Sequence, residues 1–220
     1  MLAIIPAKRL SKRLPNKNIK KLVSKPLIAH TIECALKSKK ITKLIVSTDS
    51  KKIAKIAIKY GAEVPFLRNK KFTKDKITSW EVLKDFLKKF KSIEKKSYES
   101  LIYLQPTSPL RSVKDIDNSI KIFRKKNANA VVSVNEAKPS FWFKNIKDNG
   151  LLIEKKMNKK RNYILNGSIY IFKTSFLKKT KPNMYDKKTF AYIMPLERSI
   201  DIDTLYDFKI AEMLIKRKNK

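Results

Sequence analysis

The sequence predicts a single α/β domain, a mostly parallel sheet with helices on both faces, and three observations carry that expectation. Apolar runs of strand length recur from the N-terminus as far as Val134. Amphipathic stretches of helical period fill the gaps between them, and alternating strand and helix is the pattern of crossover connections between parallel strands. Several of the runs end in polar residues, Ser47-Thr48-Asp49 and Gln105-Pro106-Thr107-Ser108 among them, which places those ends along one rim. In chain order, the strands are expected near Leu2 to Pro6, Leu44 to Ser47, Val64 to Leu67, Leu101 to Gln105 and Ala130 to Val134, because each is a short, largely apolar run. The helices are expected over Pro26 to Ser38, Lys51 to Tyr60, Ser79 to Phe90 and Val113 to Lys126, where apolar residues return at helical spacing. After Val134 the texture changes. Phe141-Trp142-Phe143, Leu151 to Ile153, Tyr163 to Leu165 and Ser168 to Phe172 are short β-prone pieces that read as hairpins leaving the main sheet and returning. The basic run Lys155 to Arg161 between them reads as a mobile loop. The chain is therefore read as one domain over 1–220 with an excursion at 135–165, closed by a helix from Thr204 to Lys216.

Composition removes several classes of function. The formal charge of +34 would attract any polyanion, but it comes from 45 Lys and only 8 Arg spread along the whole chain. Nucleic-acid readers gather cations on one face and favour the bidentate arginine fork, so lysine here reads as a general surface choice. Cys34 is the only cysteine, which excludes an intrachain disulfide and a cysteine zinc cluster and fits a reducing cytoplasm. No run approaches the ~18 apolar residues of a membrane span, and the N-terminus lacks a signal-peptide pattern, so a cytoplasmic protein without a membrane partner is expected. The lone histidine, His30, falls in a helix-like stretch and argues against histidine-based catalysis.

What remains is a site for anions. The first strand runs into AKRLSKRLPNKN, which gathers Lys8, Arg9, Ser11, Lys12, Arg13, Lys17 and Asn18 at a strand end. A triphosphate needs several charge-assisted donors converging from a short loop, although a solvated basic surface would look the same. In Ser199-Ile200-Asp201-Ile202-Asp203 the two carboxylates alternate with isoleucines, so an extended segment sends both to one face. Such a pair suits a hard cation shared with substrate phosphates; alternatively Asp203 caps the following helix and Asp201 is solvated. LQPTSPLR (Leu104 to Arg111) ends a strand in an amide, hydroxyls and a rigid turn, and Asn166-Gly167 is either a polar contact point or an ordinary hairpin turn. No nucleophile–base pair is apparent, which favours transfer by positioning and charge neutralisation.

Taken in order, IIPAKRLSKRLPNKN, KPLIAHTIECA, IVSTDS, YGAEVPFLR, LQPTSPLR, NGSIYIF and DIDTLYDFKIAE resemble the acylneuraminate cytidylyltransferase family, the CMP-sialic and CMP-legionaminic acid synthetases. The resemblance covers nearly the whole chain. It implies a Rossmann-like sheet of the nucleotidyltransferase type and a reaction in which the anomeric hydroxyl of a nonulosonic acid attacks the α-phosphate of CTP, with Mg²⁺, releasing pyrophosphate. It also implies site roles: the nucleotide on Ala7, Lys8, Ser11, Lys12, Arg13, Lys17 and Asn18, with Arg68 and Ser79 near the cytosine and ribose. The sugar falls to Gln105, Thr107, Ser108, Arg111 and Asn166, with Lys156 or Arg161 for its carboxylate, and the metal to Asp201 and Asp203. Lys8, Lys17, Gln105 and Asp201 are the expected catalytic residues. The resemblance further implies a homodimer formed through the hairpin excursion, for which Phe141-Trp142-Phe143 is suitable apolar material, although local core packing would use it equally well. The loop departs from the family pattern: Lys8 stands where an arginine is usual, and Arg9 and Leu10 where small residues are usual, so lower CTP affinity or a shifted loop is expected. Three alternatives stand beside this reading, the first a degenerate family member whose altered loop leaves it able only to bind sugar. The second is activation of another acidic sugar, pseudaminate or 3-deoxy-octulosonate; the third is a nonenzymatic polyanion or RNA-binding protein, which the net charge invites and the absence of interleaved aromatics opposes.

Overall fold

The computed structural model describes residues 1–73, 76–95, 97–138, 144–146, 150–154, 161–178 and 185–218. Its strands are β1 (Leu2–Ala7), β2 (Lys21–Leu22), β3 (Lys25–Pro26), β4 (Lys43–Thr48), β5 (Ser100–Leu104), β6 (Ala130–Glu136), β7 (Lys144–Ile146), β8 (Leu152–Glu154), β9 (Tyr163–Lys173) and β10 (Thr189–Ile193). Its α-helices are α1 (Leu27–Leu36), α2 (Lys51–Lys59), α3 (Ser79–Glu94), α4 (Val113–Lys125), α5 (Thr174–Leu177) and α6 (Leu205–Lys218). Six strands form the central sheet in the order β10-β6-β9-β5-β1-β4. β9 runs antiparallel to both neighbours, and every other described pairing in this sheet is parallel.

The alternation along β1 shows why this is a two-sided sheet. Ala3, Ile5 and Ala7 pack with α1, α2 and α4 through Ile28, Ile32, Ile53, Ile116 and Ile120. Leu2 and Ile4 face the other way, onto Trp80, Leu83, Phe86 and Phe90 of α3 and Phe176 and Leu177 of α5. A strand covered on both faces has to be apolar at every position, as this one is.

Helix starts follow the capping chemistry of the sequence. Thr78 with Glu81 and Ser112 with Asp115 form capping boxes at α3 and α4, each satisfying two otherwise orphaned backbone donors. Thr204 and Asp207 do the same for α6, so Thr204 is the cap and not the first helical residue, and the Asp203 carboxylate is left out of the cap.

Asp115 has a second role. Its buried carboxylate accepts from Tyr192 Oη (2.8 Å) and from Arg198 Nε and Nη2 (2.9 Å each), tying edge strand β10 and the turn after it to α4. Burial alone would raise this carboxyl, but the donors of Arg198, Ser112 and Tyr192 hold it at about 2. A depressed carboxyl stabilises the fold above its unfolded pKa of 3.8 and loses that contribution as pH falls through about 2. The difference corresponds to about 2 kcal/mol. Arg198→Met is expected to lower the melting temperature at pH 7 by about 5 °C or more, with the gap to the parent closing between pH 4 and 2. Thermal melts at several pH values check this, and a gap independent of pH contradicts it.

Two expected elements differ. Val64 to Leu67 is not a strand: a single parallel bridge joins Glu63 to Ile45, and the chain then turns so that Arg68 N donates to Thr48 O at 2.7 Å. Pro65 has no N–H with which to continue a ladder. Tyr163 to Leu165 and Ser168 to Phe172 are not separate hairpin pieces but one strand of the main sheet, β9, interrupted by a large irregular bulge in which the four residues Asn166 to Ile169 stand opposite Ser133. Of the excursion, β7 and β8 form a separate antiparallel hairpin, while Phe141-Trp142-Phe143 and all of the basic run except Arg161 lie outside the described residues.

Candidate active site

The site lies where the carboxyl ends of the adjacent strands β1 and β5 deliver their loops, the position at which parallel α/β sheets bind ligands. A cavity of about 420 Å³ is lined by Pro6 of β1, by Lys8, Ser11, Lys12, Arg13, Lys17 and Asn18 from the segment that follows it, by Gln105 to Thr107 after β5, and by Asp201 and Asp203. Three distant segments therefore converge, and most of the residues expected to hold phosphate and metal share one cavity.

The loop is pinned through its backbone. Asn18 Nδ2 donates to Lys8 O at 3.0 Å, and Arg9 N donates to Asp49 Oδ1 at 2.7 Å. Asn16 takes a left-handed conformation (φ 56°), for which asparagine is well suited, and opens the short turn that carries Lys17 and Asn18. Leu10 is 66% exposed and lines a neighbouring cavity beside α2, so its bulk lies outside the cavity that gathers the cations. Ala7 is fully buried in the core and contributes no side chain to the cavity; Pro6 lines it instead.

Cations and carboxylates are interlocked here. Lys17 Nζ donates to Asp203 Oδ1 (3.0 Å) and to Ile202 O (2.6 Å), and Arg13 donates to Asp203 Oδ2 (2.6 Å). The Arg13 side chain is 67% exposed, so this pair holds little energy and yields readily to a phosphate. Ile202 is fully buried and anchors the segment, its N–H donating to Thr107 O at 2.8 Å, so Asp201 and Asp203 are held at the cavity wall as the alternation implies. The surrounding protein raises the Asp201 carboxyl, the Thr107 hydroxyl pulls it back down, and the charge of Asp203 pushes it up again. Two hard oxygen donors, no soft ligand and an adjoining polycationic loop fit magnesium coordinated jointly with phosphates. Among the described residues no three acidic, histidine or cysteine side chains form a metal cluster, so a cation on this pair would complete its shell with water, backbone or substrate oxygens.

Beside this cavity, and sharing Gln105 with it, is a second of about 310 Å³ lined by Thr78, Ser79, Trp80, Leu83, Tyr103, Tyr170 and Phe172. Its aromatic wall escaped the sequence reading, because Tyr103 and Tyr170 sit inside strand runs and Trp80 on the apolar stripe of a helix, where core packing is the ordinary explanation. Ser79 opens onto this cavity and is hydrogen-bonded with Tyr103, whose hydroxyl is raised by burial. Arg68 is buried, its Nε and Nη2 bound to Ser47 Oγ (3.2 Å) and Ser47 O (2.6 Å), and it lines neither cavity.

Three residues expected to touch the sugar lie beneath the site. Arg111 is 3% exposed and donates to Ser168 O (2.6 Å), Ser168 Oγ, Thr31 Oγ1 and Gln105 O. Ser108 is fully buried. Asn166 is buried with both ends of its amide engaged, Oδ1 by Ser133 and Ser168 and Nδ2 by Ser199. Its neighbour Gly167 (φ 70°) is the closer approach: a Cβ there would stand 3.3 Å from Asp201 Oδ2 and 3.5 Å from Gln105 Nε2. Asn-Gly is thus not a hairpin turn but the bulge of β9 that forms the floor between the two sites. Arg161 is exposed and paired with Glu136 at 3.9 Å, outside both cavities, and Lys156 lies outside the described residues.

Comparison with known proteins agrees with this geometry. The chain is 39% identical over 98% of its length to a CMP-N,N'-diacetyllegionaminic acid synthase of Legionella pneumophila, covering 96% of that protein. It is 37% identical over its whole length to an N-acylneuraminate cytidylyltransferase of Escherichia coli, of which it covers 53%. A solved CMP:2-keto-3-deoxy-manno-octonic acid synthetase, complexed with CTP, superposes with a TM-score of 0.72 over 99% of this chain and 98% of that one, at 18% identity, and shares the fold. With residues 2–219 matching the model of the Cytidylyltransferase family, the chain belongs to that family.

Proposed function

We propose that this cytidylyltransferase transfers CMP from CTP to the anomeric hydroxyl of a nonulosonic acid of the sialic or legionaminic type, releasing pyrophosphate. The observation that carries the reading is the convergence of Lys8, Lys12, Arg13, Lys17, Gln105, Asp201 and Asp203 on one cavity beside an aromatic one. The loop cations bind the triphosphate, and Asp201 and Asp203 hold the magnesium. That ion, when bound, neutralises charge on the phosphates. Gln105, the residue common to both cavities, orients the acceptor toward the α-phosphate. The acceptor occupies the aromatic side, whose wall of Trp80, Leu83, Tyr103, Tyr170 and Phe172 is largely apolar. A wall of that kind suits the acyl methyl groups of an acylamino sugar, which 3-deoxy-octulosonate lacks.

Titrating CTP, UTP and ATP into the protein with Mg²⁺ tests the nucleotide half of the proposal. Affinity for CTP at least tenfold above the others is expected, and equal affinity for all three would leave a basic surface as the better description.

The homodimer rests on surface evidence. Leu165 and Ile193 flank Val134 in one row of the sheet, and both are exposed, as are Tyr163, Ile164 and Leu196 nearby. An apolar strip of this kind at one end of a sheet suits a second copy. Sedimentation at micromolar concentration is expected to give twice the 25.7 kDa chain mass, and a monomer would remove the proposal.

The polyanion alternative has no built site in support, since no described feature gathers the lysines outside the cavity into a binding face with interleaved aromatics. No described helix is long and apolar enough to cross a membrane.

A further inference from the structure

We infer that Asn166 is a positioning residue: together with Ser133 and Ser199 it sets the place of Asp201 against Gln105, and it does so without touching substrate. The inference rests on the reading above, in which Asp201 holds the metal.

The three side chains form one buried line across the fold. Ser133 Oγ, on β6, donates to Asn166 Oδ1 at 2.6 Å and accepts from Ile169 N at 2.7 Å, closing the bulge of β9. Asn166 Oδ1 also accepts from Ser168 N at 3.2 Å, and Asn166 Nδ2 donates to Ser199 Oγ at 3.1 Å. Ser199 Oγ donates its own hydrogen to a bond with Pro195 O at 2.8 Å. Every polar atom of the asparagine side chain is engaged, and the direction of each bond is fixed, because the serine at the far end has already spent its hydrogen.

The consequence falls on the residues next in sequence. Asn166 precedes Gly167, at which a Cβ would stand 3.3 Å from Asp201 Oδ2 and 3.5 Å from Gln105 Nε2. Ser199 stands two residues before Asp201, in the segment whose other end is tethered by Ile202 N to Thr107 O at 2.8 Å. The same amide therefore fixes the floor and the start of the carboxylate segment that crosses it. Asparagine is the one short side chain that accepts at one end and donates at the other. Aspartate in its place would set an oxygen against Ser199 Oγ, and serine would not reach.

Partners behind metal ligands typically tune affinity 10- to 100-fold. The test measures Mn²⁺ binding to the CTP complex by electron paramagnetic resonance with no sugar present. Asn166→Asp and Ser199→Ala are each expected to weaken Mn²⁺ binding about tenfold, Ser199→Thr to restore it, and CTP binding in EDTA to stay at the parent value for all three. Ser199→Ala and Ser199→Thr carry the test if the Asn166 variant melts early. Unchanged Mn²⁺ affinity with a raised KM for the sugar alone would overturn the inference and make Asn166 a direct sugar contact. Parent protein that binds Mn²⁺ no better than Asp201→Ala would instead overturn the metal reading, and the inference with it.

Discussion

Asp201→Ala is expected to lower kcat for CMP transfer by about 10³-fold or more while leaving the fold intact. The expectation follows from where charge has to be neutralised. Attack on the α-phosphate moves negative charge onto the departing pyrophosphate, and the loop cations alone face a triphosphate that already carries about four charges. A metal ion supplies several kcal/mol of stabilisation in such transfers, and about 4 kcal/mol corresponds to 10³ in rate. Asp201 is the better placed of the two carboxylates: its Oδ2 faces the gap over Gly167, whereas Asp203 is shared between Lys17 and Arg13. The side chain is exposed to the cavity, so its removal leaves no buried void, and the melting temperature should stay within a few degrees of the parent. Full turnover in this variant would show that the transfer runs without the carboxylate pair.

Arg111→Ala is expected to give the largest loss of stability, about 3 to 5 kcal/mol because several buried acceptors lose their donor at about 1 to 3 kcal/mol each, or roughly 10 °C in melting temperature for a chain of this size. The guanidinium is buried beneath the site, is lowered by that burial, and holds its place through hydrogen bonds to Ser168, Thr31 and Gln105. Truncation strands those acceptors inside the core, and an unpaired buried polar group is costly. Because two of its bonds end on the carbonyl of Gln105, kcat should fall as well, but through displacement of that amide. Thermal melts separate the cases: an alanine variant with parental stability and a raised KM for the sugar would make Arg111 a substrate contact after all.

The fold was legible where periodicity was undivided. β1, β4, β5 and β6 are short apolar runs covered on both faces, and α1 to α4 repeat at helical spacing, so both types declare themselves locally. β9 did not, because its polar bulge at Asn166-Gly167 looks like a turn in sequence and becomes a floor only when Ser133 on another strand closes it. Val64 to Leu67 failed for the opposite reason: an apolar run with Pro65 inside it makes one bridge and stops. At the site, charge at a strand end and alternating carboxylates marked the segments that the structure brings to one cavity. Burial was invisible, so Arg111, Ser108 and Asn166, polar residues in a recognisable order, were read as facing the ligand when the structure turns them into its support. The aromatic cavity was hidden in the same way, since Trp80, Tyr103 and Tyr170 carry a pattern that core packing produces equally well.

The central claim is a specific transfer, and the measurement that tests it most directly is CTP- and Mg²⁺-dependent pyrophosphate release with four acceptors offered in turn: N-acetylneuraminate, N,N'-diacetyllegionaminate, pseudaminate and 3-deoxy-octulosonate. The account predicts release, with a CMP-sugar identified by mass, for one of the first two at a rate well above the last. Folded protein that binds CTP yet releases no pyrophosphate with any of the four would contradict it, and fastest release with 3-deoxy-octulosonate would contradict the assignment of the aromatic cavity to an acylamino sugar.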